Sequence, residues 1–385
     1  MKLETNGLET RNRFDRMEWA GAFGDLGTLI PFVVAYIGVA KVDPLGVLLA
    51  FGLALIACGA YYRTPFPVQP MKAIGAVAAT QAVQTAAITP SVIYAAGLVT
   101  GVIWLLIGLS GAAGKIAKLV DRPVLIGIIL GLGMGFMIEG VKMMATNWIF
   151  AAIGFVGTVL LLTNRSVPAM LLLIFFGAVC GAIQNPEFVS SLAGVSIEFR
   201  LPEFALAQVT WSDLLIASVF LAIPQVPLTL GNAMIAIREE NNLLFPNRPV
   251  TDKGVAVSTG VMNLFSSSIG GIPMCHGAGG MAGHVAFGAR TGGAPILLGA
   301  ILLLIALFLS GSVDIVFRLL PAAILGVVLF ITGAQLALGS CDLSKDKGER
   351  FITLITAAFA IWNVGLAFIV GIGGAYINRR GWLRL

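Results

Sequence analysis

The sequence is poor in charge. Asp, Glu, Lys and Arg make up 11% of its 385 residues, against 58% hydrophobic residues and a mean hydropathy of +0.94. A soluble chain of this length would carry about twice that charged share, so soluble multi-domain classes are excluded. Histidine is scarcer still: His276 and His284 are the two present, and their i, i+8 spacing does not bring two imidazoles together. No carboxylate or second cysteine joins Cys275 in a ligand set, so no metal site is expected. Cys58, Cys180, Cys275 and Cys341 lie far apart in mostly apolar surroundings, from which neither a disulfide framework nor a CxxC site follows. Walker loops are missing, as is any persuasive Ser-His-Asp spacing, so neither an enzyme nor a cofactor is expected. There is no long basic run, and the net charge of +5 requires no nucleic-acid partner. A cleavable signal is missing too: Met1 to Glu18 is polar and carries Lys2, Arg11, Arg13 and Arg16, as a retained cytoplasmic tail does.

What the sequence does hold is apolar stretches of helical length throughout, none with the strand-by-strand alternation of an outer-membrane barrel. The fold class expected is an all-α polytopic membrane protein, with the lipid bilayer as its first partner. Spans are predicted at 17–39, 45–62, 92–110, 121–138, 147–163, 167–183, 210–231, 252–268, 293–311, 320–339, 350–364 and 365–378, with short helices at 70–87 and 273–289. The last two spans are short and Gly-linked, and a single hairpin dipping partway is the other reading.

About fourteen segments return the chain to the side it starts from, and the basic residues agree. Nineteen Lys and Arg fall on the side of the termini, while Lys41, Lys142, Arg200 and Arg318 fall opposite and Lys72 lies inside a segment. Residues 1–16 and 379–385 are therefore expected as cytoplasmic tails of a multi-pass protein of the inner (plasma) membrane. Seven segments, over 17–183, precede an acidic external linker at 184–209, and seven, over 210–378, follow it. The second set then starts from the opposite face, which makes an inverted 7+7 repeat. Asp25-Leu-Gly-Thr-Leu resembles Val226-Pro-Leu-Thr-Leu, and Gln69-Pro-Met-Lys resembles Ile272-Pro-Met-Cys, at offsets of 201 and 203 residues.

The two short helices, segments 3 and 10, carry the chemistry. From Ile269 to Arg290 the chain is too rich in glycine to cover lipid, and Pro273 reads as the start of a helix with unused N–H groups. Backbone of that kind survives at membrane depth inside protein, where it lines a cavity. Thr64-Pro-Phe-Pro-Val-Gln69 repeats the argument from the cytoplasmic side, since its prolines forbid a helix interior. At about 3.3 Å per residue it spans roughly 20 Å, enough to reach the midplane. A helix from Met71 then completes the crossing. Two half-helices meet there N-terminus to N-terminus, an arrangement that attracts anions.

Lys72 falls in the first turn of one half-helix, where the dipole disfavours a cation unless substrate or Asp25 lies near; snorkelling is the alternative. Asp25 is read as the proton-coupling group or as a partner of Lys72, against a plain helix-packing role. His276 is read as a donor to the anion or a titrating group, and His284 as a packing or gating residue. Gln225, Thr229 and Asn232 give segment 8 a polar face, with Pro224 and Pro227 breaking its ladder, and Thr28 does likewise in segment 1. Such residues suit cavity lining but also serve as interhelical glue. The substrate-binding set expected is Thr28, Gln69, Met71, Lys72, Gln225, Cys275, His276, Gly277 and Ala278, the last two small enough to open the backbone to a ligand.

Pro67-Val-Gln-Pro-Met-Lys-Ala-Ile-Gly-Ala-Val-Ala78 and Pro273-Met-Cys-His-Gly-Ala-Gly-Gly-Met-Ala-Gly-His284 resemble the two signature motifs of the molybdate transporter family, distant relatives of the SulP sulfate permeases. The resemblance covers nearly the whole chain. It implies the fourteen-segment fold of uracil permeases and SulP proteins, core and gate domains that move against each other, and substrate between segments 3 and 10. The substrate implied is molybdate, with sulfate and tungstate as related dianions. Uptake by alternating access is expected to be proton-coupled, because a dianion entering against an inside-negative potential needs at least two protons to neutralise the moved charge. Met274 departs from the Cys-Cys-His pattern of plant members, which weakens any role for paired thiols, and no STAS-like domain is expected after Leu385. A sulfate transporter of the same fold and an uncoupled anion channel are the alternatives. A nucleobase carrier would place carboxylates on segments 8 and 10, where this sequence has Gln225 and no acid. A homodimer is an allowed assembly.

Overall fold

The computed structural model describes residues 11–38, 40–72, 74, 75, 77, 88–117, 121–162, 164, 167–184, 187, 197–313, 320–338 and 343–380. Residues 1–10 and 381–385 of the expected tails, the far part of the 70–87 helix, residues 188–196 of the linker, Arg318 and Cys341 lie outside the described residues.

Segment 1 is not the single helix expected over 17–39. It consists of α1 (Arg16–Ala22), a 3-10 turn at Phe23–Asp25 and α2 (Leu26–Gly38). Asp15 caps α1, its carboxylate accepting from the N–H groups of Met17 and Glu18. The tightened turn brings Gly24 against segment 10, where a Cβ on Gly283 would lie 2.5 Å from the Gly24 carbonyl oxygen. Next come α3 (Pro44–Tyr62), capped by Asp43, and the two-residue strand β1 (Gln69–Pro70). Residues 63–68 are non-helical, as their prolines require, and helix resumes at Lys72. The first half is completed by α4 (Pro90–Leu109), α5 (Ala112–Ala117), α6 (Arg122–Met144), α7 (Trp148–Leu161) and α8 (Ala169–Gln184).

Segment 8 departs furthest from expectation. Instead of ending at 231 it runs to 244 as α9 (Trp211–Ile216), α10 (Ile223–Leu228) and α11 (Ile237–Leu244), joined by π-helical turns at 217–222 and 229–236. Pro224 and Pro227 have no N–H for the ladder, and the run bends by 48° beside them. The remaining elements are α12 (Asp252–Ser268), β2 (Met274–Cys275), α13 (Ala278–Ala286), α14 (Gly293–Leu309), α15 (Ala322–Leu338), α16 (Lys347–Trp362) and α17 (Val364–Arg379). The two last are separate helices that meet at Asn363, whose side chain caps α17 by accepting from Leu366.

The principal pairings are α3 with α14, α4 with α12, and α6 with both α15 and α16. Small residues let the backbones touch: a Cβ on Gly140 of α6 would lie 2.8 Å from the Gly326 carbonyl oxygen of α15. Large apolar side chains face outward on α7 and α8, where Ile149, Leu160 and Phe175 are 72%, 75% and 69% exposed. That surface is a liability in water and the natural one in lipid. Ion pairs between Arg200 and Asp43 (3.0 Å) and between Arg379 and Asp121 (3.5 Å) each join residues assigned to one face of the membrane.

Candidate functional site

The site is organised on a crossing of two short strands. β1 and β2 pair antiparallel, Gln69 opposite Cys275 and Pro70 opposite Met274, and the Met71 N–H donates to the Pro273 carbonyl at 2.9 Å. This pairing revises both predicted half-helices. Pro70 belongs to a strand, and α13 starts at Ala278 rather than Pro273, because Cys275 pairs with Gln69 and the Met274 backbone groups are held by a side chain of α12. Asn263 of α12 holds the run in place: its Oδ1 accepts from the Met274 N–H (2.8 Å), and its Nδ2 donates to the Met274 (2.5 Å) and Thr259 (2.7 Å) carbonyls. Ser266 donates to the Ile272 carbonyl at 2.8 Å. Asn263 is wholly buried and was missed from sequence, where an amide within an apolar helix is the signal that could have found it. Asn263→Ala leaves two buried backbone groups without partners, at a cost of about 1–3 kcal/mol each. Thermal unfolding in detergent is expected to move sharply downward, and an unchanged midpoint would count against this brace.

Asp25, Thr28 and Gln69, expected separately as proton-coupling and substrate-binding residues, are bonded to one another. Gln69 Nε2 donates to Asp25 Oδ1 (2.5 Å) and Thr28 Oγ1 (2.8 Å), and the Thr28 hydroxyl donates to the Asp25 carboxylate. A Cβ on Gly280 would lie 2.8 Å from Asp25 Oδ2 and 2.9 Å from Gln69 Nε2, so this knot is pressed onto α13. Gly277 has a different use from the one expected. The space its missing side chain leaves is filled by the Gln69 amide oxygen. Gln225 reaches the other half-helix, accepting from the Ile74 N–H at 3.3 Å and donating to Thr229 at 2.9 Å.

Lys72 is the pivotal side chain. Its Nζ is buried, has no hydrogen-bond partner among the described residues, and lies 4.2 Å from the centroid of the Phe136 ring of α6. Asp25 and Cys275 are within electrostatic reach. Phe136 in turn packs on Gly279, so one ring bridges the ammonium and the first turn of α13. Gly277 caps α13 without a side-chain acceptor, and Ala278, fully buried, begins it. The opening N–H groups of that helix are therefore a positive terminus without a side-chain cap. Met71 and Cys275 are buried in the crossing itself, the latter as a free thiol. Phe136 carries no sequence signal, since its role depends on contact between distant segments.

The expected anion role of His276 is not supported by its position. Its Nδ1–H donates to the Pro67 carbonyl at 2.8 Å, and its Nε2 is engaged by the Ser258 hydroxyl at 2.7 Å. Phe66 stands edge-on to the ring at a centroid distance of 4.7 Å. With both nitrogens used and no exposure, His276 braces the extended run before β1 against α12. His284, expected as a packing or gating residue, is bonded through Nδ1 to the Gly21 carbonyl at 2.7 Å, and its Nε2 is buried without a hydrogen-bond partner among the described residues.

The family model described as "Molybdate transporter of MFS superfamily" matches residues 17–136 and 217–336, and each stretch contains one of the two half-helix motifs. The chain belongs to the molybdate transporter family. Molybdate transporter 2 of Arabidopsis thaliana is 32% identical over 92% of this chain and 85% of its own length. Molybdate transporter 1 of the same plant is 30% identical over 96% and 89%. Among solved structures, this molybdate transporter family member resembles murine Solute Carrier 26 family member A9 in the inward-facing state, with a TM-score of 0.63 at 13% identity over 100% of this chain and 70% of that one. The transmembrane domain of the cyanobacterial bicarbonate transporter BicA gives 0.58 at 14% over 93% and 97%. At such identities the likeness is one of fold. The molybdate transporter family and this fold make the protein a multi-pass membrane anion transporter, not an enzyme.

Proposed function

We propose that the protein is a secondary active transporter that takes up molybdate by proton symport, holding the dianion between Lys72 and the N-terminus of α13. The observation that carries this reading is the unpartnered, buried ammonium of Lys72 beside an uncapped helix start. Burying a lone cation costs several kcal/mol, of which a desolvated cation–π contact returns about 2 kcal/mol. Asp25 is the carboxylate within reach, and its Oδ1 already accepts from Thr28 and Gln69. When Asp25 carries the co-transported proton, the cation and the positive helix end leave a site complementary to an anion.

Alternating access through an inverted repeat has independent support. Shifting each partner by seven segments exchanges the α3–α14 pairing with the α4–α12 pairing, and returns α6–α15 and β1–β2 to themselves. The two stretches matched by one family model favour the same reading. The nineteen-to-four sorting of Lys and Arg supports cytoplasmic termini in the inner (plasma) membrane.

Purified protein in liposomes, given labelled molybdate and an acid exterior, is expected to accumulate the label above its external concentration. The uptake should saturate, yield to tungstate competition and collapse with a protonophore. Flux that never exceeds equilibration would assign a channel, and stronger competition by sulfate than by molybdate itself would assign a sulfate carrier.

A further inference from the structure

We infer that the hydroxyl of Tyr36 is a further substrate-contacting group of this transporter, a neutral donor that selects the larger tetrahedral oxyanions over sulfate. The inference rests on the reading that the anion lies between the two half-helices. Tyr36 is on α2, has no exposed surface, and its Oη has no hydrogen-bond partner among the described residues. Buried tyrosine hydroxyls almost always have one, because an unpaired O–H forfeits its hydration.

The ring's location says where that partner must come. A Cβ on Gly75, in the first half-helix, would lie 3.3 Å from Tyr36 Cε2, and the Cys275 thiol of β2 is within electrostatic reach of the hydroxyl. One further unpartnered buried donor adjoins the same crossing, Lys72 Nζ. Unpaired polar atoms gathered from α2 and the first half-helix point to a ligand that completes them.

Phe32 supplies an internal comparison. It lies one turn before Tyr36 on the same face of α2 and packs on the same glycine, its Cδ1 2.6 Å from the Gly75 Cβ position. Ring packing at this glycine thus needs no hydroxyl. The oxygen on Tyr36 is what packing leaves unexplained. Lys72 and the α13 N–H groups approach the anion from the crossing, whereas Tyr36 comes from segment 1, so the hydroxyl fixes the distance across the ligand. Molybdate and tungstate, with longer bonds to oxygen than sulfate has, span that distance; sulfate engages the charged side and leaves the hydroxyl short.

The test uses Tyr36→Phe in the full chain, with Lys72→Gln in parallel. Binding is read as the molybdate-induced rise in unfolding temperature and as KM in proteoliposomes, with sulfate measured alongside. Tyr36→Phe is expected to keep the ligand-free unfolding temperature, raise the molybdate KM tenfold or more, and change the sulfate constant less than threefold. An equal loss for both anions would overturn the selectivity role. Wild-type molybdate affinity in Tyr36→Phe, with binding lost in Lys72→Gln, would overturn the inference and leave the site standing. Wild-type affinity in both variants would remove the site as well.

Discussion

Lys72→Gln loses molybdate binding by two to four decades in calorimetric titration while the protein stays folded in detergent; this is the largest effect expected of any single substitution. A buried charge deprived of its counter-charge costs about 3–5 kcal/mol, and each 1.4 kcal/mol is a factor of ten. Here the charge deprived is the anion's, since the ammonium beside Phe136 is the cation at the α13 start. Folding is spared because Lys72 Nζ makes no hydrogen bond among the described residues and its removal orphans nothing. Lys72→Arg is expected to fall nearer the Gln variant than the wild type. A planar guanidinium needs room that Phe136, itself pressed on Gly279, does not leave. An unaltered titration for Lys72→Gln would take the residue out of the site.

Local backbone chemistry made part of this legible. Pro65 and Pro67, spaced two apart, rule out a helix interior there, and the glycines from 277 onward cannot cover lipid, so the broken segments could be read without a partner in view. What depends on contact across hundreds of residues could not. Pro273 looked like a helix start and instead precedes a strand, because Gln69 pairs with Cys275. His276 looked free for an anion until Pro67 and Ser258 took both nitrogens. Glu18 sat in a polar tail by sequence, yet it has no exposure and its carboxylate accepts from the N–H groups of Arg290, Thr291 and Ala294, at 2.9, 2.9 and 3.1 Å. It thereby caps α14, whose Gly292 offers no side chain. Segment 8 runs past 231 because π-turns absorb two prolines that local rules treat as breakers.

Asp25→Asn is expected to abolish accumulation driven by a pH gradient while leaving molybdate exchange across the membrane intact. An inside-negative potential opposes each negative charge entering by about 2.3 kcal/mol per 100 mV, so a dianion faces roughly twice that. Two co-transported protons cancel the moved charge, and at least one needs a buried carrier that faces the anion. Asp25 meets that condition by placement: it sits in the 3-10 turn of segment 1, bonded to Gln69 of β1 and within reach of Lys72. His276 and His284 do not, since the first has both nitrogens engaged and the second lies in the last turn of α13, away from its N-terminus. Asparagine keeps an oxygen for the Thr28 and Gln69 donors, so the knot on α13 survives and the anion still binds. The titratable proton is what goes. Counterflow of labelled against unlabelled molybdate, which needs no net charge movement, then separates coupling from binding. Full gradient-driven uptake in Asp25→Asn would make this carboxylate a packing group, and loss of both uptake and counterflow would make it part of the anion site instead.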